Sequence, residues 1–475
     1  MNFTPYEHDL MFGVDKTDRI VAIETIPRRD TAVVIYRQDE SGKVYEMHTN
    51  MTWVVYIRSD DPIIEQLDGM EYDDLLGNNF YNIRIHCKSK AQANWVKQNS
   101  LNSLMVLPSA QFFVQSGMTL FKEMQFDDIL RAYCDIEVLT AEGYEFVNSS
   151  RPADKICIIT IHFNHTYPDV VIALNEDGLT KPAENRVLCD SEKELLEKFV
   201  EIIRKTDPSV IIGHNFFKFD IPYIKERCMM YSVPFAIGRN GSEPYYHPTS
   251  IKFADKSEDY DNCVVYGRHI LDTFFMAKQY DVIKRELPSY RLKDIVKYLK
   301  RASADRTYIE GDKLTWYWWN DREAILKYAL EDVYETQIVE QSVGQTPFYS
   351  TQMFPLPYRD MVRYGSGTMI DNWLIRDYYN ELWSLPTPDP KIEYGGAYTD
   401  TYMFGVIKGR LVYVDVASLY PTIRDIFHIK PPKDELNVYD TKMKLLKRVR
   451  IEYKKIAKQF EKNADIIKEY LTTIK

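Results

Sequence analysis

Asp135-Ile136-Glu137 sets two carboxylates two residues apart, and in an extended chain residues i and i+2 project from the same face. Cys134, Ile136 and Val138 fall on the other face, so a strand over Tyr133 to Val138 would bury one apolar side and present an acidic one. Like charges so close repel, and a hard divalent cation that takes carboxylate oxygens, Mg²⁺ or Mn²⁺, removes the repulsion. A half-buried edge strand with a polar outer face would have the same pattern. A third carboxylate, Asp220, closes the run Gly213-His214-Asn215-Phe216-Phe217-Lys218-Phe219-Asp220, directly after strand-like Val210-Ile211-Ile212. Because Ile221-Pro222 follows, Asp220 is equally suited to capping a helix. In the turn, Asn215 can hold a ligand or a loop, while Phe216 and Phe219 offer flat faces to unstacked bases or to a core. The fourth carboxylate lies in Tyr328-Ala329-Leu330-Glu331-Asp332, where i, i+4 spacing puts the Tyr328 phenol and Asp332 on one helical face.

The elements that must position these groups lie in the middle of the chain. Residues 1–130 alternate strand-like runs (Arg19 to Ile23, Thr31 to Tyr36, Trp53 to Ile57) with charged turns and a helical stretch near Ala91 to Lys97, a β-rich domain. From residue 131 the pattern becomes α/β. Tyr133 to Val138 and Ile156 to Phe163 read as strands, and Ser191 to Glu194 is a capping box opening a helix whose apolar face is Leu195, Leu196, Phe199, Ile202 and Ile203. A further helix opens at Asn320 to Glu323, and stretches around Gly344 to Pro357 and Leu385 to Pro390 read as linkers.

A chain of 475 residues allows about three domains. With 45% hydrophobic and 27% charged residues and no bilayer-length apolar run, it reads as soluble, with no membrane partner. The first residues lack the pattern of a secretory signal, which favours an intracellular site, cytoplasm or nucleoid. Six cysteines without CxxC spacing suggest neither zinc nor a disulfide framework. The net charge is −10, yet from Thr441 onwards eleven Lys/Arg face four Asp/Glu, a local +7 that leaves −17 for the rest. In that terminal helix Leu446, Val449, Tyr453, Ile456 and Phe460 recur as a packing stripe, beside a basic stripe of Lys447, Arg450, Lys454 and Lys458.

Leu411 to Pro421 reads as an apolar strand ending in Asp415 and a turn, and a carboxylate buried there needs a partner or a cation. Taken in order, DxE on a strand, NxxxFD at a strand-to-helix turn, YxxxD on a helix and then DxxSLYP resemble the exonuclease motifs and palm motif A of family B DNA polymerases. The Gly267 to Thr273 and Ser289 to Asp294 segments also resemble family segments.

The resemblance implies a multidomain α/β fold: a β-rich N-terminal domain over 1–130 and a ribonuclease H-like 3′→5′ exonuclease domain over 131–340. Linker and the first part of the palm would occupy 341–432, and the helical start of the fingers 433–475. It implies that Asp135, Glu137, Asp220 and Asp332 bind two Mg²⁺ or Mn²⁺ ions, that Tyr328 orients the attacking water, and that Asp415 binds the polymerase metals. Ser418 and Leu419 would cradle a dNTP, Tyr420 exclude a ribose 2′-OH, Arg450 and Lys454 grip the triphosphate, and Gly395 and Gly396 approach the template. Asn215, Phe216 and Phe219 would meet the single-stranded 3′ end of a primer-template. No KxxxNSxYG or YxDTD string follows Asp415, so the chain is expected to be either a truncated fragment or the N-terminal subunit of a split polymerase whose second polypeptide carries the rest of palm, fingers and thumb, a processivity factor being a further partner. The compact length without zinc cysteines favours a viral or phage host. A stand-alone exonuclease with a scaffold palm remnant, or a non-catalytic DNA-binding module, are the competing expectations.

Overall fold

The computed structural model describes residues 3–254, 256–390, 395, 398–406, 408–414, 416 and 418–473, with backbone alone at 283 and 464–473. The chain forms two compact units, one of Asp15–Thr52 and Leu107–Trp373, the other of Met1–Val14, Trp53–Val106 and Leu374–Lys475. The first 130 residues thus contribute to both.

In the unit that holds the first three acidic motifs, β1 (Ile20–Ile26), β2 (Arg29–Gln38) and β3 (Val44–Asn50) make an antiparallel sheet. The strands that follow are β4 (Arg131–Val138), β5 (Ile156–Phe163), β6 (Val170–Leu174), β7 (Arg186–Cys189), β8 (Val210–Gly213), the hairpin pair β9 (Tyr245–Phe253) and β10 (Lys256–Val264), and β11 (His269–Asp272). Six of them form one mixed sheet in the order β7-β6-β5-β4-β8-β11. β5 runs antiparallel to both β4 and β6, and the remaining neighbours are parallel. The connection from β7, at one edge of the sheet, to β8, on the far side of β4, is a helical crossover, α1 (Glu192–Thr206). The Ser191 hydroxyl accepts from Glu194 N at 3.2 Å, while the Glu194 carboxylate caps Asp190 N at 2.9 Å rather than closing the box on Ser191. Leu195, Leu196, Phe199 and Ile203 then pack with Cys134, Ile136 and Val138 in one core.

The other helices of this unit that bear on the site are α2 (Asp220–Met230), α3 (Thr273–Lys284), α4 (Leu292–Tyr298), α5 (Leu314–Asn320) and α6 (Arg322–Val343). α6 lies against β4 and β5. Two buried ties set its register there: Thr160 Oγ1 of β5 donates to Ala329 O at 3.2 Å, and Arg131 and Tyr133 of β4 reach the Glu340 carboxylate at 3.1 and 3.0 Å. Gly344 to Pro357, expected as a linker, instead contains a helix, Gln345–Thr351, because Phe348 is fully buried and stacks on Phe121 at 4.8 Å.

The second unit holds a four-stranded sheet, in the spatial order Glu71–Asp74, Ile83–Cys87, Trp53–Ile57 and Ser103–Met105, together with the helices α7 (Leu419–Ile426) and α8 (Val438–Thr473). Asp434 caps α8 by accepting from Val438 N at 3.2 Å and Tyr439 N at 2.9 Å, and the fully buried Lys442 meets Asp377 at 2.5 Å. Two expectations fail in this unit. Leu411 to Val414 is not a strand: the run is irregular and exposed, and no described residue pairs with it to satisfy a ladder. The α8 packing stripe holds only at its start: Leu446 and Val449 are half-buried beside the buried Val438, Lys442 and Leu445, while Tyr453, Ile456 and Phe460 are exposed. No helix among the described residues is long and apolar enough to cross a membrane.

Below the site, His269 of β11 donates through Nε2 to Val21 O at 2.9 Å and accepts at Nδ1 from Arg359 N at 3.4 Å. Burial pushes its pKa down to about 3, so the ring is neutral when folded. The unfolded chain takes up a proton near pH 6.5 that the folded chain refuses, so this residue's support is lost as pH falls from about 6.5 towards 3. The stability advantage of the wild type over His269→Gln, read by denaturant titration, is expected to shrink by about 2 kcal/mol between pH 7 and pH 5. A pH-independent difference would contradict a neutral buried imidazole.

Candidate active site

The acidic face of β4 lies under α6. There oxygens of Asp135, Glu137 and Asp332 all come within 4.8 Å of one another, Asp135 half-buried and the other two buried. Burial, with repulsion from Asp220, Glu137 and Asp332, pushes Asp135 well above the ordinary carboxylate range. Glu137 is pushed well up by burial and by Asp332. Asp332 is raised by burial against the pull of Lys293 and Arg306. Such a set is costly to ionise alone and becomes favourable around a cation. The donors are hard oxygens, so the set fits a hard divalent ion.

Asp220 is not the N-cap. Phe219 holds that position without a side-chain bond, and Asp220 is the first residue of α2. Its Oδ1 accepts from Ile136 N of β4 at 3.2 Å, which places the carboxylate beside the cluster but outside the group of three. Burial raises its pKa well above the ordinary value.

The turn that delivers Asp220 is built on two constraints. A Cβ at Gly213 would meet the Phe216 ring at 2.2 Å, so glycine is required for Phe216 to fold back into the core. Asn215 adopts φ 63°, a left-handed conformation that asparagine tolerates. Asp272, at the end of β11, then gathers the turn: its carboxylate accepts from Asn215 N at 2.9 Å, Phe217 N at 3.1 Å and Phe274 N at 2.9 Å, the last as N-cap of α3. Burial still raises it, to about 6. His214 bridges Thr273 Oγ1 and Tyr290 O, both at 2.9 Å, and burial lowers its pKa to about 4. Of the two phenylalanines offered to bases, Phe216 is fully buried and has no free face, because Gly213 lets its ring pack inward; Phe219 is exposed.

Tyr328 and Asp332 share one face of α6, as their spacing requires. Lys293 of α4 is bonded to the Tyr328 oxygen and lies 3.4 Å from Asp332 Oδ2, with its ammonium 4.2 Å from the Tyr328 ring centre. Burial and neighbouring carboxylates raise the Tyr328 pKa, so the phenol stays protonated and its hydrogen can donate. Arg306 is bonded to Asp332 Oδ1. Neither cation was assigned from sequence. Lys293 lies inside a quoted family-like segment, but Arg306 comes from an irregular loop 26 residues before Asp332, where no periodicity points to it.

In the other unit, Arg450 Nη1 of α8 donates to Ser418 Oγ at 3.2 Å, joining two residues expected to share a nucleotide. Ser418 precedes α7 with φ 53°, Leu419 and Tyr420 are exposed at its start, and Lys454 is exposed on α8. Gly395 is exposed; Gly396 and Asp415 lie outside the described residues.

An α/β sheet bearing a buried carboxylate cluster that fits divalent cations defines the class of this protein. Residues 75–295 match DNA polymerase family B, exonuclease domain, a span that includes Asp135, Glu137 and Asp220 and ends before Asp332. A DNA polymerase of Archaeoglobus fulgidus is 26% identical over 270 residues, 56% of this chain and 31% of that protein. A DNA polymerase of Desulfurococcus sp. (strain Tok) is 28% identical over 324 residues, 66% of this chain and 38% of the relative. The structure of the family B DNA polymerase from the archaeon Pyrobaculum calidifontis is similar with a TM-score of 0.58 at 16% identity, covering 78% of this chain and 51% of that one; at that identity the likeness is one of fold. The matched segments thus span only 31% and 38% of these two curated relatives. Over the matched segments the chain is similar to the N-terminal portion of family B DNA polymerases.

Because Asp272 satisfies three backbone donors at once, Asp272→Ala is expected to destabilise the unit by about 3 kcal/mol or more, read by chemical denaturation. A loss below about 1 kcal/mol would mean that the turn is held by other contacts.

Proposed function

We propose that the chain carries a 3′→5′ exonuclease acting on single-stranded DNA ends, with Asp135, Glu137, Asp220 and Asp332 holding two divalent ions, Mg²⁺ or Mn²⁺. The observation that carries this reading is the convergence of Asp135, Glu137 and Asp332 oxygens within 4.8 Å. The sheet order and the helix laid over β4 and β5 support a ribonuclease H-like domain. When bound, such ions supply an activated water and neutralise charge developing on the scissile phosphate. The protein's own groups supply orientation. Lys293 donates to the Tyr328 oxygen and the Tyr328 hydroxyl donates to Asp332, a contact it would exchange to orient the attacking water. Asp220, anchored on Ile136 N, keeps its second oxygen for a ligand. Asn215 and the exposed Phe219 flank the entry of a 3′ end, the ring offering a stacking face.

Asp135→Ala is expected to lower Mg²⁺- or Mn²⁺-dependent shortening of single-stranded DNA by about a thousandfold or more. Undiminished cleavage in a gel assay would overturn the site assignment.

Residues 341–432 are proposed to be linker and the first part of a polymerase palm, and 433–475 the start of its fingers, with Asp415 as a metal ligand and Ser418, Leu419, Tyr420, Arg450 and Lys454 around a dNTP, while Gly395 and Gly396 face the template. The Arg450–Ser418 bond supports a shared nucleotide site. The exposed apolar side chains of Leu411, Val412 and Val414, and of Tyr453, Ile456 and Phe460, support a missing complement, which a second polypeptide would provide. Mixed with a polypeptide carrying KxxxNSxYG and YxDTD, the chain is expected to extend a primer on a template. Failure both to associate and to extend would remove this part of the proposal and leave the exonuclease untouched.

A further inference from the structure

Arg306 lies deep beside the cluster, its side chain 1% exposed, and its guanidinium is shared by three carboxylates of α6. Nη2 meets Asp332 Oδ1, Nε and Nη2 reach the Glu335 oxygens at 3.0 and 3.3 Å, and Nη1 reaches Glu331 Oε2 at 2.9 Å. Thr307 N donates to the same Glu331 oxygen at 2.9 Å, so the backbone beside Arg306 is fixed to the helix as well. A guanidinium is planar and offers its donors at fixed angles. Once Glu335 and Glu331 grip it on either side, the second Nη2 hydrogen is left directed at Asp332 Oδ1.

We infer that Arg306 is a positioning residue for Asp332: it fixes Oδ1 so that Oδ2 is presented towards Asp135, Glu137 and any cation bound between them. The inference rests on the cation-binding reading above. Without the clamp, the Asp332 carboxylate keeps Lys293, at 3.4 Å, and the Tyr328 hydroxyl, neither of which engages Oδ1 from the Arg306 side, and it can turn away from its two neighbours. Glu335 plays the opposite part to Asp332. Its two oxygens both face the guanidinium, so it matches the Arg306 charge and leaves the presented carboxylates their own. The alternative is that Arg306 only tethers its loop to α6, and that differs in one respect: a tether has no bearing on cation affinity.

The experiment is a Mn²⁺ titration of the full chain, with free ion followed by electron paramagnetic resonance and the unfolding midpoint measured in parallel. The paired change Arg306→Gln with Glu335→Gln removes one positive and one negative buried charge, so the charge balance of the fold is kept while Asp332 loses its anchor. Its Mn²⁺ affinity is expected to fall by about tenfold or more at one site, with an unfolding midpoint close to that of the wild type. Arg306→Lys keeps the charge without the fork and is expected to recover only part of that affinity; should the paired variant not fold, Arg306→Lys decides alone. Wild-type Mn²⁺ binding in the Arg306 variants, while Asp135→Asn abolishes it, would overturn the inference and leave the exonuclease reading standing. A wild-type chain that binds no Mn²⁺ would overturn that reading and this inference with it.

Discussion

Concentrating carboxylates where water is scarce is the constraint on which the first unit is organised. Burial raises Asp135, Glu137 and Asp332, and repulsion adds to it at Asp135, from Asp220, Glu137 and Asp332, and at Glu137, from Asp332 and Asp220. Only a structure that holds the backbone firmly can keep such groups together in the absence of a cation. The firmness comes from elsewhere: an apolar core behind β4, the Glu340 tie at one end of α6 and the Thr160 bond at its middle. Around the rim stand Lys293 and Arg306, whose charges relieve Asp332 in part. The result is a site poised between self-repulsion and ion capture, with the cost of repulsion borne by packing that lies outside it.

What could be read from the amino-acid order was what depends on local periodicity. Alternation in β4 put Asp135 and Glu137 on one side and Cys134, Ile136 and Val138 on the other, and i, i+4 spacing put Tyr328 beside Asp332. The capping alternative for Asp220 failed because capping rules weigh only the local backbone, whereas its carboxylate is drawn across to Ile136 N, a strand backbone group 84 residues away in the chain. Phe216 illustrates the same limit. An aromatic beside an acidic residue looks available until the glycine three positions earlier is seen to admit its ring to the core. Arg306 was invisible for a plainer reason, since an arginine in an irregular loop has no pattern of its own and acquires meaning from the helix it meets.

The second unit shows the converse. Its apolar segments around residue 411 and along α8 were read as buried, and burial is what such compositions ordinarily achieve. Apolar pattern records which side chains seek a partner, and says nothing of whether the partner is in the same sequence. Where α8 does find one, at Lys442 and Asp377, a buried ion pair fixes it. Beyond that point the helix presents Tyr453, Ile456 and Phe460 to solvent.

The unequal company kept by Asp135 and Asp332 has a consequence for how such a chain changes over generations. Replacing Asp135 removes one source of repulsion and leaves the contacts of Arg306 in place. Replacing Asp332 takes from Arg306 and Lys293 an anion that they share at a buried place, and leaves Arg306 to Glu331 and Glu335. Chemistry would suffer alike from either change; heritability would not. In a lineage released from any need to hydrolyse DNA, the strand aspartate would drift first, and the helix aspartate would persist as a relic kept by stability alone.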